Sequence, residues 1–258
     1  MKKNFLVISL MLFSGYIAVA QATLYSPRAL IIPLHTTSKQ LHVSAGFATS
    51  TDHGSMDFNL SYSLTNSIAA FVSAAFNPFT FKHEGDGDFF DPSYHYNYNN
   101  FSTSFGAEYY KSGLDGFINV VEAQLGGSFS TQNRLSFAIN DALYDVRKEQ
   151  NYSSVFAQIS AAKAFEKFDV SLALRVNHVN YGSFREYEVN GVELYENSQY
   201  PSTFFFEPAI GGSYVIKSVK LNLQVGGFVK KFESEEVGFE STTKESVLFS
   251  RLSVQYNF

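Results

Sequence analysis

The sequence lacks several features that would place it in a common protein class. It has no cysteine and no tryptophan. Without cysteine, the chain can form neither a disulfide nor a thiolate metal site, and it cannot carry a lipid on an N-terminal cysteine. Basic residues are in the minority, with 19 Lys+Arg against 24 Asp+Glu, and no basic patch occurs. The composition therefore argues against a nucleic-acid partner.

Apolar residues are abundant but are rarely consecutive. Aromatic residues make up 17% of the chain, with 27 Phe and 16 Tyr, yet the mean hydropathy is close to neutral. Beyond the first two dozen residues, no apolar run approaches the roughly 18 residues of a membrane-spanning helix. Apolar and polar residues are interleaved instead, which is typical of β-strands with one apolar and one polar face.

The chain begins "MKKNFLVISLMLFSGYIAVAQA", with a basic head, a short apolar core and small residues at a cleavage spacing. This pattern predicts a signal peptide over residues 1–20. The alternative is a membrane anchor, but the apolar core of about 13 residues is short for one. Residues 21–38 follow as an extended segment, because Pro27 and Pro33 disfavour a helix. This segment is expected to lie along a barrel rim, enter the lumen as a partial plug, or contact a periplasmic partner.

Residues 39–258 contain about ten segments in which apolar and polar residues alternate. Many are about 10–15 residues long, which exceeds the 5–6 of soluble sheets and suits a strand that crosses a bilayer. Short turns, as at 65–66, 166–167 and 217–218, alternate with longer loops, roughly 77–99, 130–150, 182–202 and 232–245. Short turns at one end and long loops at the other predict a closed antiparallel up-and-down transmembrane β-barrel. About ten strands are expected, with 8 or 12 as alternatives.

The last segment, "LSVQYNF", alternates in the same way and ends on Phe258. It resembles the C-terminal targeting signal of Gram-negative outer-membrane β-barrel proteins. The resemblance implies a barrel in the outer membrane, in contact with lipid and lipopolysaccharide, whose Tyr256 and Phe258 are recognised by the barrel-assembly machinery. Because tryptophan is absent, Phe and Tyr must supply the interfacial girdle. The candidates near strand ends are Tyr62, Tyr109, Tyr214, Tyr256 and Phe258.

Charged residues inside the predicted strands share the polar face. They form a predicted lumen network of Asp57, Glu108, Glu122, Arg175, Glu207 and Arg251, in which the three glutamates are expected to pair with the two arginines. A barrel of about ten strands is narrow, so a packed polar core is favoured over a narrow pore. The alternative is a soluble periplasmic β-barrel with its apolar faces turned inward around an apolar ligand.

The long loops are acidic and rich in aromatic residues. The stretch "EGDGDFFD" (84–91) lacks the full order of an EF-hand, so calcium binding there is a weak hypothesis and no metal or cofactor is expected. The stretch 89–100 predicts a surface-binding loop that uses exposed aromatic rings. Its candidate residues are Phe89, Phe90, Tyr94, Tyr96 and Tyr98.

None of the six histidines stands beside a nucleophile in a pattern that predicts catalysis. His83, near Glu84 and Asp86, has the only carboxylate-rich neighbourhood. No catalytic residue is therefore predicted. The sequence favours a non-enzymatic outer-membrane barrel, a structural or interaction component or a narrow pore. An outer-membrane barrel enzyme that modifies lipid or peptide is the alternative.

Overall fold

A computed structural model describes residues 30, 32, 34–50, 54–77, 80–83, 94–138, 146–188, 193–197, 202–230 and 246–258. The predicted signal peptide, Phe89, Phe90 and the loop 232–245 lie outside the described residues. Within the described part of the chain, no helix is long and apolar enough to cross a membrane.

Ten long strands form a closed antiparallel barrel, which confirms the predicted fold and strand number. Each strand pairs with its neighbour along the chain, and the last strand pairs with the first. The barrel strands, in order around the wall, are β1 (Leu41–Ser50), β2 (Gly54–Ser63), β3 (Ile68–Asn77), β6 (Asn100–Ser112), β7 (Val120–Ala138), β8 (Val146–Ala164), β9 (Phe168–Glu188), β11 (Thr203–Ile216), β12 (Val219–Lys230) and β13 (Ser246–Asn257).

Three short strands, β4 (Thr80–His83), β5 (Tyr94–Tyr98) and β10 (Glu193–Asn197), extend the wall at the end with the long connections. β4 pairs with β5, β5 pairs with β7, and β10 pairs with β9. The prediction of loops over 77–99, 130–150 and 182–202 is therefore wrong in part. Sheet hydrogen bonds satisfy the backbone of β7, β8 and β9 beyond the predicted strand ends, so these strands continue where loops were expected.

The closure of the barrel explains the strand pattern at the C-terminus. β13 pairs with both β12 and β1, and the Phe258 N–H donates to the Leu41 carbonyl oxygen at 3.0 Å. An unpaired edge in hydrocarbon would leave backbone groups without partners, each at a cost of several kcal/mol. Pairing β13 with β1 removes that edge.

The apolar rows face outward, as predicted, and form a belt around the barrel. Leu125 is 69% exposed and Leu174 is 49% exposed. Their polar neighbours along the strands, such as Gln124 and Arg175, are buried in the lumen. Such a belt is stable only against acyl chains, so the barrel spans the outer membrane. The five predicted girdle residues are exposed at the short-turn end, which is the periplasmic end of an outer-membrane barrel.

Candidate functional site: the occupied lumen

The N-terminal segment enters the lumen from the periplasmic rim. Of the three positions expected for it, the structure shows the partial plug. Its described residues, 30, 32 and 34–40, are called the luminal segment below. Leu30, Leu34 and His35 are buried, whereas Thr36 and Thr37 at the rim are exposed. The segment therefore occupies the lumen from the rim to about the middle of the barrel.

Side chains of the barrel wall hold the backbone of the luminal segment. The Gln224 side chain accepts a hydrogen bond from the Leu30 N–H at 3.1 Å and donates one to the Leu30 carbonyl oxygen at 3.3 Å. The Glu122 carboxylate accepts the His35 N–H at 3.0 Å. A buried backbone group without a hydrogen-bond partner costs free energy. By supplying these partners, the polar wall residues allow the segment to lie inside the lumen.

At the rim, hydroxyl groups hold the segment in the same way. The Ser112 hydroxyl donates to the Thr36 carbonyl oxygen at 2.8 Å, and the Ser63 hydroxyl donates to that of Thr37 at 2.8 Å. The Tyr110 hydroxyl lies 2.9 Å from the Thr37 carbonyl oxygen. The segment is thus anchored at the rim as well as in the middle of the barrel.

Two small apolar clusters receive the leucines of the segment. Leu30 packs with Ala173, Ala209 and Phe249. Leu34 packs with Val120 and Ala162, and Ile32 lies against both clusters. Because the wall is otherwise polar, these contacts fix the position of the segment along the lumen.

A small cavity remains between the segment and the wall. Its volume is about 50 Å³, and its lining includes Leu30, Ile32, His42 and Arg251. This is room for a few water molecules beside polar groups. The segment therefore does not fill the space available to it.

All six residues of the predicted lumen network are buried in the lumen: Asp57, Glu108, Glu122, Arg175, Glu207 and Arg251. Arg175 lies beside Glu207, with their charged atoms 3.6 Å apart, and it also donates to the Gln158 side chain. The expectation that Arg251 pairs with a glutamate is wrong.

Arg251 instead binds Asp57 through its Nε, which lies 3.0 and 2.9 Å from the two carboxylate oxygens. The reason is register. Ala48 of β1 is the direct partner of Arg251, and Gly46, two residues along β1, is the direct partner of Asp57. Because β1 carries small side chains there, the arginine reaches across it to the aspartate.

Glu108 and Glu122 lie on neighbouring strands, and none of the described ion pairs includes either of them. The Gln124 side chain donates to Glu108 at 2.9 Å, and Glu122 accepts the backbone of the luminal segment. Glu122 thus acts as an anchor for the segment rather than as a partner of an arginine. No group of three or more His, Asp or Glu side chains in the described ranges is placed to hold a metal ion.

A histidine–serine contact inside the lumen was not predicted from the sequence. The His35 Nε2 lies 2.7 Å from the Ser61 Oγ, and the His35 ring stacks on His42 with centroids 4.3 Å apart. Burial lowers the pKa of His35 to about 4. A base and a nucleophile in contact are a prerequisite for acyl transfer. Here His35 and Ser61 are both buried, and Ser61 lines the small cavity beside the segment.

Aromatic side chains of the wall form two further buried clusters inside the barrel. This aromatic layer consists of Phe71, Tyr152, Phe156, Phe205 and Phe228, all buried. Phe205 and Phe228 meet edge to face with centroids 5.6 Å apart, and the Arg175 guanidinium lies 4.6 Å from the centre of the Phe156 ring. Such pairs favour a packed core over open space.

Glycines make room for two of these rings. Phe71 is the direct cross-strand partner of Gly106, and Phe156 is that of Gly126. A Cβ atom added to Gly126 would lie 2.6 Å from the Phe156 Cζ and 2.6 Å from the Phe105 carbonyl oxygen. The inward glycines thus let the rings lie against the wall. Phe71 breaks the polar pattern of the inward face of β3, because it is an apolar residue that points into the lumen.

The predicted surface-binding loop is described only in part. Tyr94, Tyr96 and Tyr98 fall on β5, whereas Phe89 and Phe90 lie outside the described residues. The acidic stretch 84–91 lies outside them too.

No model of a known protein family matches this chain, and no curated protein sequence matches it. Among the solved structures that resemble it is the translocator domain of the autotransporter NalP from Neisseria meningitidis, at 10% identity and a TM-score of 0.47, over 85% of this chain and 87% of that one. A major outer membrane protein from Thermus thermophilus has 15% identity and a TM-score of 0.46, over 85% and 99% of the two chains.

The outer membrane protease OmpT from Escherichia coli has 7% identity and a TM-score of 0.47, over 86% of this chain and 94% of that one. These likenesses concern the general architecture of a barrel. No activity is transferred from any of them to this chain.

Proposed function

We propose that this protein is a non-enzymatic barrel of the outer membrane that is closed at rest and acts as a structural or interaction component. The observation that supports this most directly is the occupied lumen. The luminal segment occupies the periplasmic part, and the rings of the aromatic layer are packed in the part above it. An open aqueous channel is typical of barrels with about 16 strands or more, and this barrel has ten.

The absence of enzymatic activity is part of the same proposal. Its support is the burial of the His35–Ser61 contact, since a catalytic base and nucleophile must reach a substrate. We further propose that the outward-facing Tyr256 and Phe258, whose ring centroids lie 4.4 Å apart, are recognised by the barrel-assembly machinery. A narrow pore is the alternative within the same class of protein.

Conductance across a planar bilayer tests the closed state. The full-length protein is purified in detergent, its folding is verified by heat-modifiable gel migration, and it is then added to the bilayer. We expect no stable single-channel steps, because segment and aromatic rings occupy the lumen. Reproducible steps from protein that is folded by the gel criterion would contradict the proposal and favour the pore.

A further inference from the structure

The wall of the periplasmic lumen binds its occupant chiefly through backbone atoms. Gln224 contacts both the N–H and the carbonyl oxygen of Leu30, and Glu122 contacts the N–H of His35. At the rim, Ser112 and Ser63 contact backbone carbonyl oxygens. Backbone groups are the same in every peptide, so this set of contacts supplies affinity that depends little on the bound sequence.

Apolar side chains of the occupant supply the selectivity. Leu30, Ile32 and Leu34 lie in an apolar stretch of the segment, and each packs in a small apolar cluster of the wall or between two of them. Backbone hydrogen bonds combined with pockets for alternate side chains are the general mode by which proteins bind extended peptides. The wall therefore has the chemistry of a peptide-binding cleft.

The luminal segment is an imperfect occupant of this cleft. Leu34 and Lys39 have φ values of 57° and 63°, in the left-handed region that non-glycine residues adopt only at a cost in free energy. A cavity of about 50 Å³ also remains beside the segment. A peptide without the covalent link to β1 escapes the strain at Lys39, where the chain turns into the barrel wall.

We propose that the periplasmic half of the lumen is a binding cleft for a peptide with a short apolar stretch, and that the luminal segment is its resident and exchangeable ligand. This inference rests on the proposed function as an interaction component and names the chemistry of the partner. Because the segment enters at the short-turn end, the competing peptide comes from the periplasm.

A single cysteine reports whether the segment leaves the lumen. The chain has no cysteine of its own, so Ile32→Cys provides one label site on the half-buried part of the segment. The probe is a synthetic peptide with the sequence of residues 23–39, TLYSPRALIIPLHTTSK. The control peptide has serine in place of Leu30, Ile32 and Leu34. In the folded full-length protein, we expect the probe to raise the rate of maleimide labelling about tenfold and the control peptide to leave it unchanged.

Wall variants test whether the contacts named above hold the segment. Gln224→Ala removes both hydrogen bonds to Leu30, and we expect it to raise the labelling rate of Cys-substituted protein about tenfold without added peptide. Asn222→Ala is the matched control, because Asn222 lies on the same strand and bonds to Ser253 at 3.4 Å rather than to the segment. We expect this variant to label within twofold of the parent.

Peptide binding is also measured on the wild-type protein, so that a folding defect of the cysteine variant does not decide the test. Fluorescence anisotropy of the labelled probe peptide should show saturable binding to folded wild-type protein, competed by unlabelled probe but not by the control peptide. An absence of saturable binding, or a labelling rate that the probe leaves unchanged, would overturn the inference and make the segment a permanent part of the barrel. Channel steps from the resting protein would instead overturn the proposed function, so the two failures are distinguishable.

Discussion

The two halves of the lumen are closed in different ways. In the periplasmic half, polar side chains of the wall hold a separate stretch of backbone through hydrogen bonds. In the half above it, rings that belong to the wall itself pack on one another and on inward glycines. Hydrogen bonds to a backbone can be exchanged for those of another peptide, whereas packed rings on fixed strands cannot. A narrow barrel can therefore be closed permanently in one half, by the aromatic layer, and exchangeably in the other, by the luminal segment.

The largest effect is expected from breaking the buried ion pair beside the luminal segment. Replacing Arg251 by methionine leaves Asp57 without its charge partner in the lumen, and this should lower the free energy of unfolding by about 3–5 kcal/mol. The double variant Asp57→Leu/Arg251→Met removes both charges and should recover most of that loss. Urea unfolding in lipid vesicles, followed by circular dichroism and gel migration, measures both.

This prediction separates an ion-pair role from a packing role for Arg251. If the single and double variants are equally unstable, the loss comes from the volume of the arginine side chain and not from the unpaired aspartate. In that case the periplasmic half is held by packing, and its difference from the aromatic layer disappears.

A smaller effect is expected in the aromatic layer, where two adjacent glycines face opposite sides of the wall. Gly126→Ala forces a Cβ atom to within 2.6 Å of the Phe156 ring and of a backbone oxygen, and such overpacking costs about 1–3 kcal/mol. Gly127→Ala points outward, where the nearest atom would be 3.4 Å away, and should change stability by about 0.5 kcal/mol or less. The same urea titration compares the two, and equal losses would show that contact with the Phe156 ring does not determine the cost.

Much of the fold could be predicted from the sequence, because side-chain parity in a strand determines which residues face lipid and which face the lumen. Turn lengths then gave the strand number and orientation. Parity did not give the partner of each charged residue, since pairing depends on the register between strands. The Asp57–Arg251 pair exists because β1 has small side chains between its two neighbours, a fact that becomes visible only once the barrel is closed.

The candidate site was less predictable for the same physical reason. Nothing in residues 21–38 distinguishes a segment that enters the lumen from one that lies along the rim, because the deciding partners, Gln224 and Glu122, are far away in sequence. Phe71 is an apolar residue on the inward, polar face of β3, and its ring fits there because a glycine lies directly opposite, a partner that sequence alone does not show. The lengths of β7, β8 and β9 were underestimated because polar strands outside the bilayer lack the apolar row that identifies a strand.

The smallest expected effect is a dependence on pH that belongs to the periplasmic half alone. Burial lowers the pKa of His35 to about 4, below the value of about 6.5 for an exposed histidine. As the pH falls below 6.5, His35 binds a proton in the unfolded chain but stays neutral in the folded protein. The free energy of unfolding therefore decreases progressively down to pH 4. Between pH 7.5 and pH 5.5, this loss amounts to about 1 kcal/mol.

The variant His35→Gln isolates this contribution, because the other groups near the ring, such as Glu122 and His42, are the same in both proteins. We expect the wild type to lose about 1 kcal/mol more than His35→Gln between the two pH values in urea unfolding, and Ser61→Ala to leave the pH dependence unchanged in direction. Equal slopes in wild type and His35→Gln would mean that His35 is already exposed to solvent at rest. The luminal segment would then spend much of its time outside the lumen, and the periplasmic half would be open without any added peptide.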